Sequence, residues 1–139
     1  MTLITETIPD NLEEFYFNWM GEKSPILGVV GENLIYSYAD DMSRDYKGGL
    51  WDFRQLSNGG FYTFPKIDRI VGRHPDFGDI ELSGQAFGLA VSMMTVNHLC
   101  WMQRLSEKPY YRLLAYLSQV DCEGQAIFPE AGKVHMMLD

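Results

Sequence analysis

From Leu82 to Gln103 the chain carries no formally charged side chain. A segment of that length and neutrality is stable either across a bilayer or in the middle of a globular core. The polar residues decide between the two. Ser83, Gln85, Ser92, Thr95, Asn97, His98 and Gln103 interrupt the run, and Gly84 and Gly88 lie near its start. The sequence therefore predicts a buried central helix and no membrane span. Ser83 is its candidate N-cap, and it runs to about Leu105. Phe87, Leu89, Val91, Met93, Met94, Val96, Leu99, Trp101 and Met102 leave it no broad polar face. Such a helix must cover a sheet and be covered in turn by other helices.

The rest of the chain supplies those partners. Asp10 and Glu13 have the spacing of a capping box, which predicts a first helix over Asn11–Met20. Ser24-Pro25 reads as a loop. A second, amphipathic helix is expected over Glu32–Tyr46, with Leu34, Ile35, Tyr38, Ala39, Met42 and Tyr46 on one arc. Leu50–Leu56 reads as a strand with Trp51 and Phe53 facing the core. Ser57-Asn58-Gly59-Gly60 then reads as a hairpin turn through residues that accept positive φ, and Phe61–Phe64 as the returning strand. Gly48-Gly49 is expected to release the chain from its helix at Tyr46 through a left-handed cap. A third strand is predicted around Ile67–Gly72. Asp79–Leu82 reads as a fourth strand or as the lead into the central helix. A further helix is predicted over Lys108–Val120, with Pro109 in its first turn. A short helix or turn at Gln125–Phe128 precedes a tail that frays or packs. There is no internal repeat and no linker. The expectation is one compact α+β domain over residues 1–139. In it a small antiparallel sheet with one hairpin packs against several helices, including the buried central one.

Charge narrows the partners. With 19 acidic against 11 basic residues the chain has a net charge of −8, which opposes contact with a nucleic-acid backbone. Glu32, Asp40, Asp41 and Asp45 make the second helix the most acidic element and the candidate interaction surface. Catalytic patterns are absent. His74, His98 and His135 have no histidine or cysteine partner at metal-ligand spacing. Cys100 has apolar neighbours, and Cys122 completes no CxxC; both read as reduced thiols. Ser57 sits in no nucleophile elbow, and neither glycine pair ends as a phosphate loop does. "MTLITETIPD" lacks the basic and apolar regions of a signal peptide, which points to the cytoplasm.

One stretch goes further. "DYKGGLWDFRQLSNGGFYTFP", Asp45 to Pro65, resembles the signature of the ArdB/KlcA family of antirestriction proteins. The positions that carry the resemblance are Tyr46, Gly48, Gly49, Trp51, Phe53, Leu56, Ser57, Asn58, Gly59, Gly60, Phe61, Tyr62 and Pro65. "GENLIYSYADDMSRDY" before it, and "GLAVSMMTVNHLCWM" and "YYRLLAYL" after it, also suit that family. The resemblance implies a protein without enzymatic activity or cofactor. It would protect the DNA of plasmids and prophages by inhibiting Type I restriction–modification systems. Its partner would be the restriction complex or a factor acting on it. The motif residues are expected to serve mainly the fold. The alternative is an acidic DNA mimic. Duplex DNA carries about one charge per 1.7 Å of axis, so a dozen base pairs need about two dozen ordered charges. The 19 acids of this chain, offset by 11 basic residues, argue against that alternative.

Overall fold

The computed structural model describes residues 3–10, 25–102 and 106–139. Its elements run β1 (Glu6–Thr7), α1 (Pro25–Met42), β2 (Trp51–Leu56), β3 (Phe61–Pro65), β4 (Arg69–His74), β5 (Gly78–Ser83), α2 (Gly84–Trp101), α3 (Lys108–Leu117) and α4 (Ala131–Leu138). The fold is α+β. The expected single sheet is two: an antiparallel β1-β2-β3 and a separate β4-β5 hairpin. The expected helix over Asn11–Met20 lies outside the described residues.

The uncharged segment is the central helix α2. Ser83 caps it, with Oγ accepting the Ala86 N–H at 3.0 Å. It packs on β3, α1, α3 and α4, and Phe87, Leu89, Val91, Met93, Val96 and Leu99 are buried along it. Its end departs from expectation: Trp101 stands 81% exposed. No described helix is long and apolar enough to cross a membrane.

The fit of α2 on the sheet is made by small residues. A Cβ on Gly88 would lie 2.1 Å from Phe64 Cβ and 2.5 Å from the Thr63 carbonyl oxygen; one on Gly84 would lie 2.2 Å from the Ile67 carbonyl oxygen. One turn past Gly88, the Ser92 hydroxyl accepts the Thr63 N–H at 3.1 Å and donates to the Thr63 carbonyl at 3.1 Å. A helix thus satisfies the outward N–H and carbonyl of Thr63 on the edge of β3, the role a fourth strand would otherwise fill there. Both faces of β3 are buried as well.

The opposite flank of the sheet is closed differently. β1 pairs only with the end of β2, at Glu6↔Leu56 and Thr7↔Gln55. Continuing that register would bring Pro9, which has no N–H, opposite Phe53. There β2 serves itself. Phe53 N–H donates to Asp52 Oδ1 at 2.9 Å, Arg54 Nη1 donates to the Phe53 carbonyl at 2.8 Å, and the two side chains pair at 3.1 Å. The alternation expected of β2 is therefore incomplete. Trp51 and Leu56 are buried, Phe53 and Arg54 half-buried, and Gln55 exposed. Arg54 also lies over the Phe64 ring, 4.9 Å from its centroid.

Helix α1 begins at Pro25, where a loop is expected, and stops at Met42, short of Tyr46. Ser43 ends it. Its buried hydroxyl donates to the Val71 carbonyl at 2.7 Å and accepts the Asp45 N–H at 3.1 Å, turning the chain onto β4. Gly48-Gly49 is accordingly no helix cap but part of a surface loop. β5 is a full strand. α3 ends at Leu117, and Gln125–Phe128 is irregular, with one bridge between Val120 and Ala126. The tail forms α4, whose Ala131, Val134 and Met137 are buried.

Candidate functional site

At the hairpin and the aromatic positions, residues of the glycine-aromatic stretch are tied into the fold. At the hairpin, Ser57 N–H donates to the Thr5 carbonyl at 2.9 Å, and its Oγ accepts the Thr5 N–H at 3.0 Å. Only Gly59 in the turn has a positive φ, 89°; the expectation that Asn58 shares it is corrected. Asn58 works through its side chain. Oδ1 accepts the Gly60 N–H at 3.0 Å, the local turn that asparagine favours, and Nδ2 donates to the Arg112 carbonyl on α3 at 3.0 Å. Gly60 leaves room for Arg112, whose Cβ would lie 3.0 Å from an added Cβ.

Tyr62 leads to a centre that the sequence reading missed. Its buried hydroxyl donates to Glu6 Oε2 at 2.6 Å and accepts from Gln85 Nε2 at 2.6 Å. Tyr116 donates to the same Glu6 oxygen at 2.5 Å, and Arg54 Nε lies 3.4 Å from Oε1. One carboxylate on β1 thus gathers β2, β3, α2 and α3. Burial, and then the bond to Glu6, push both phenols well above the ordinary tyrosine range. Both stay donors at any physiological pH.

Trp51 opens the other half of the stretch. Its Nε1 donates to the Tyr46 hydroxyl at 3.0 Å, and its ring meets Tyr46 and Tyr36 edge-on at 5.8 and 5.7 Å. Tyr36 donates to Glu32 at 3.1 Å; burial and the Glu32 charge push its phenol up to about 12. Phe61 is buried and Phe53 half-buried beside the core. The four acids proposed as a surface are not gathered into one patch by bonding. Glu32 serves Tyr36, and Asp45 Oδ2 accepts the Val71 N–H at 3.2 Å. Asp40 and Asp41 stand exposed at the end of α1.

Among the described residues no cluster of three or more His, Cys, Asp or Glu is placed to hold a metal. His74 is buried and turned into its own hairpin, where Nδ1 accepts the Asp76 N–H at 3.0 Å. His98 Nδ1 bonds the Tyr38 hydroxyl at 2.7 Å. His98 and Cys100 are half-buried rather than core residues.

A second carboxylate ties the C-terminal helix to the β4-β5 hairpin. Glu130, at φ 62°, accepts the Ser83 N–H at 2.9 Å, two bonds from Arg69 at 3.1 and 3.2 Å, and one from Lys133 at 3.1 Å. Burial opposes its ionisation, but the Ser83 N–H, Arg69 and Lys133 outweigh it and hold the carboxyl at about 2. A folded-state value below the free value of 4.5 gives stability that is fully present above pH 4.5 and lost as pH falls through about 2. Thermal unfolding followed from neutral pH down to pH 2 should show Tm falling in that window. Glu130→Gln should lower Tm at neutral pH and flatten the acid limb. An unchanged acid limb would refute this role.

Comparison with known proteins places this geometry. The profile of a family described as "Antirestriction protein" matches residues 44–130. Antirestriction protein KlcA of Escherichia coli is 36% identical over 72 residues, 50% of this chain and 49% of that protein. Putative antirestriction protein YubI of Escherichia coli (strain K12) is 31% identical over 75 residues, 53% of each. The chain thus spans about half the length of these curated relatives. A solved structure from work on the KlcA and ArdB proteins matches with a TM-score of 0.79, over 99% of this chain and 96% of that one, at 22% identity. Those proteins are described as showing a novel fold and antirestriction activity against Type I DNA restriction systems in vivo but not in vitro. That likeness establishes the shared fold.

Proposed function

The chain belongs to the antirestriction protein family, and from that premise we propose that it protects incoming mobile-element DNA by inhibiting Type I restriction–modification. It acts in the cytoplasm as a single-domain interaction protein that makes and breaks no bond. Its partner is the restriction complex or a factor acting on it. The observation that carries this reading is the family match over residues 44–130.

Contact through a local surface is favoured over DNA mimicry. A mimic needs ordered, unpaired charge along an extended face. Here Asp45 and Glu32 are engaged within the fold, at Val71 and Tyr36. The net charge of −8 falls far short of a duplex of useful length. A mimic would also compete with DNA for a purified nuclease. The activity described for the KlcA and ArdB proteins, in vivo but not in vitro, supports a route that needs the cell.

The test is plating of unmodified phage on cells with and without an active Type I system. Expression should raise plating severalfold on the restricting host and leave it unchanged on the other. Unchanged plating with abundant soluble protein would remove the proposal. Cleavage by the purified nuclease should proceed normally. Salt-sensitive inhibition there, relieved by changing Asp40, Asp41 and Asp45 to asparagine, would favour the mimic instead.

A further inference from the structure

The loop between α1 and β2 has a shape that packing does not require. Gly48 and Gly49 have φ of 82° and 105°, and among the described residues nothing lies within 4 Å of a Cβ built on either. Glycine reaches both conformations without steric cost, and the loop is tied to the residue after β3 just beyond the pair, where the Leu50 carbonyl accepts the Lys66 N–H at 2.9 Å. The loop holds Leu50, 76% exposed, at a cleft of about 200 Å³. Ile67, 45% exposed, lines it too. Lys47 and Lys66 are exposed along it, and the one lining acid, Asp45, is turned to the Val71 N–H. Two lysines against one aspartate make this lining net positive, in a chain of net charge −8.

An apolar pair flanked by cations complements a carboxylate-rich segment with an apolar anchor. We propose that this cleft is a docking site for an acidic protein segment carrying one leucine-like side chain. The side chain would lie against Leu50 and Ile67, and its flanking carboxylates against Lys47 and Lys66. Nucleic acid fits less well: the apolar lining offers nothing to a phosphate backbone, and the surrounding negative charge repels one. The inference deepens the antirestriction reading and rests on it only for the identity of the partner.

Two measurements decide it. The first titrates nitrogen-15-labelled protein with the peptide Glu-Glu-Leu-Glu-Glu, its counterpart Lys-Lys-Leu-Lys-Lys, and a short DNA duplex. Amide shifts should centre on Gly48, Gly49, Leu50, Lys66 and Ile67, with the acidic peptide only. They should vanish in a Leu50→Asp, Lys66→Glu variant whose Tm is unchanged. No shift at these amides, equal shifts from the lysine peptide, or shifts from DNA instead would overturn the proposal. The second repeats the phage assay with that variant. Loss of protection supports the cleft. Full protection by both proteins overturns the cleft and leaves the family reading standing. Failure of the parent protein to protect removes the family reading, and the peptide titration then decides the cleft alone.

Discussion

Gly88→Ala is expected to destabilise the protein by at least about 3 kcal/mol, the upper range for overpacking a filled core. The added methyl would sit 2.1 Å from Phe64 Cβ and 2.2 Å from Phe64 Cα. Backbone and Cβ atoms cannot step aside as a flexible side-chain end can, so α2 must lift away from β3. Lifting it separates Ser92 from Thr63 and leaves a buried N–H and a buried carbonyl unpaired, a second cost of about 1–3 kcal/mol each. Gly132→Ala is the control. It lies on α4 with nothing among the described residues within 4 Å of the new Cβ, so the change should be neutral or stabilise by up to about 1 kcal/mol. Urea unfolding of both variants checks the pair. A Gly88→Ala protein within about 1 kcal/mol of the parent would disprove this account of the helix–sheet contact.

The second large effect should come from Glu6. Replacing it with alanine removes the shared acceptor of Tyr62 and Tyr116 and one partner of Arg54. Glu6 is itself 27% exposed, so water can reach part of the gap. The expected loss is about 1–3 kcal/mol. Because Glu6 joins β1 to four other elements, the Thr5 and Ser57 amides beside it should exchange faster while those of α2 keep their protection. Glu6→Gln retains an acceptor oxygen and should recover part of the loss. Equal stability of the alanine and parent proteins would rule out a gathering role for Glu6.

How much of this was legible in the sequence depends on the range of the force involved. The uncharged run gave α2 and its burial, because a helix without a polar face can only go inside. Asn58-Gly59 gave the hairpin, although Asn58 acts through its amide rather than its backbone. The boundaries of α1 were not legible. Its apolar arc continues to Tyr46, and what stops it at Met42 is a hydroxyl bonded to Val71, distant in sequence. β1 has two residues and is held by contacts distant in sequence, the Glu6 carboxylate among them, so no periodicity announces it. Helix α4 did leave a signal: Val134, Met137 and Leu138 have helical spacing. The glycine pair is visible in the sequence, but its proximity to the helix mimics a cap. Only the structure shows Gly48 and Gly49 in open space beside Leu50.

The sheet's two flanks are closed without a fourth strand, one by the Ser92 hydroxyl and the other by Asp52, Arg54 and the position of Pro9. A consequence follows for crowded conditions. With the Thr63 and Phe53 backbone groups engaged by side chains, a second molecule that tried to extend the sheet at those positions would find its ladder bonds already taken. Shortening Ser92 to alanine would uncover the N–H and the carbonyl of Thr63, and edge-to-edge association is where the loss would register.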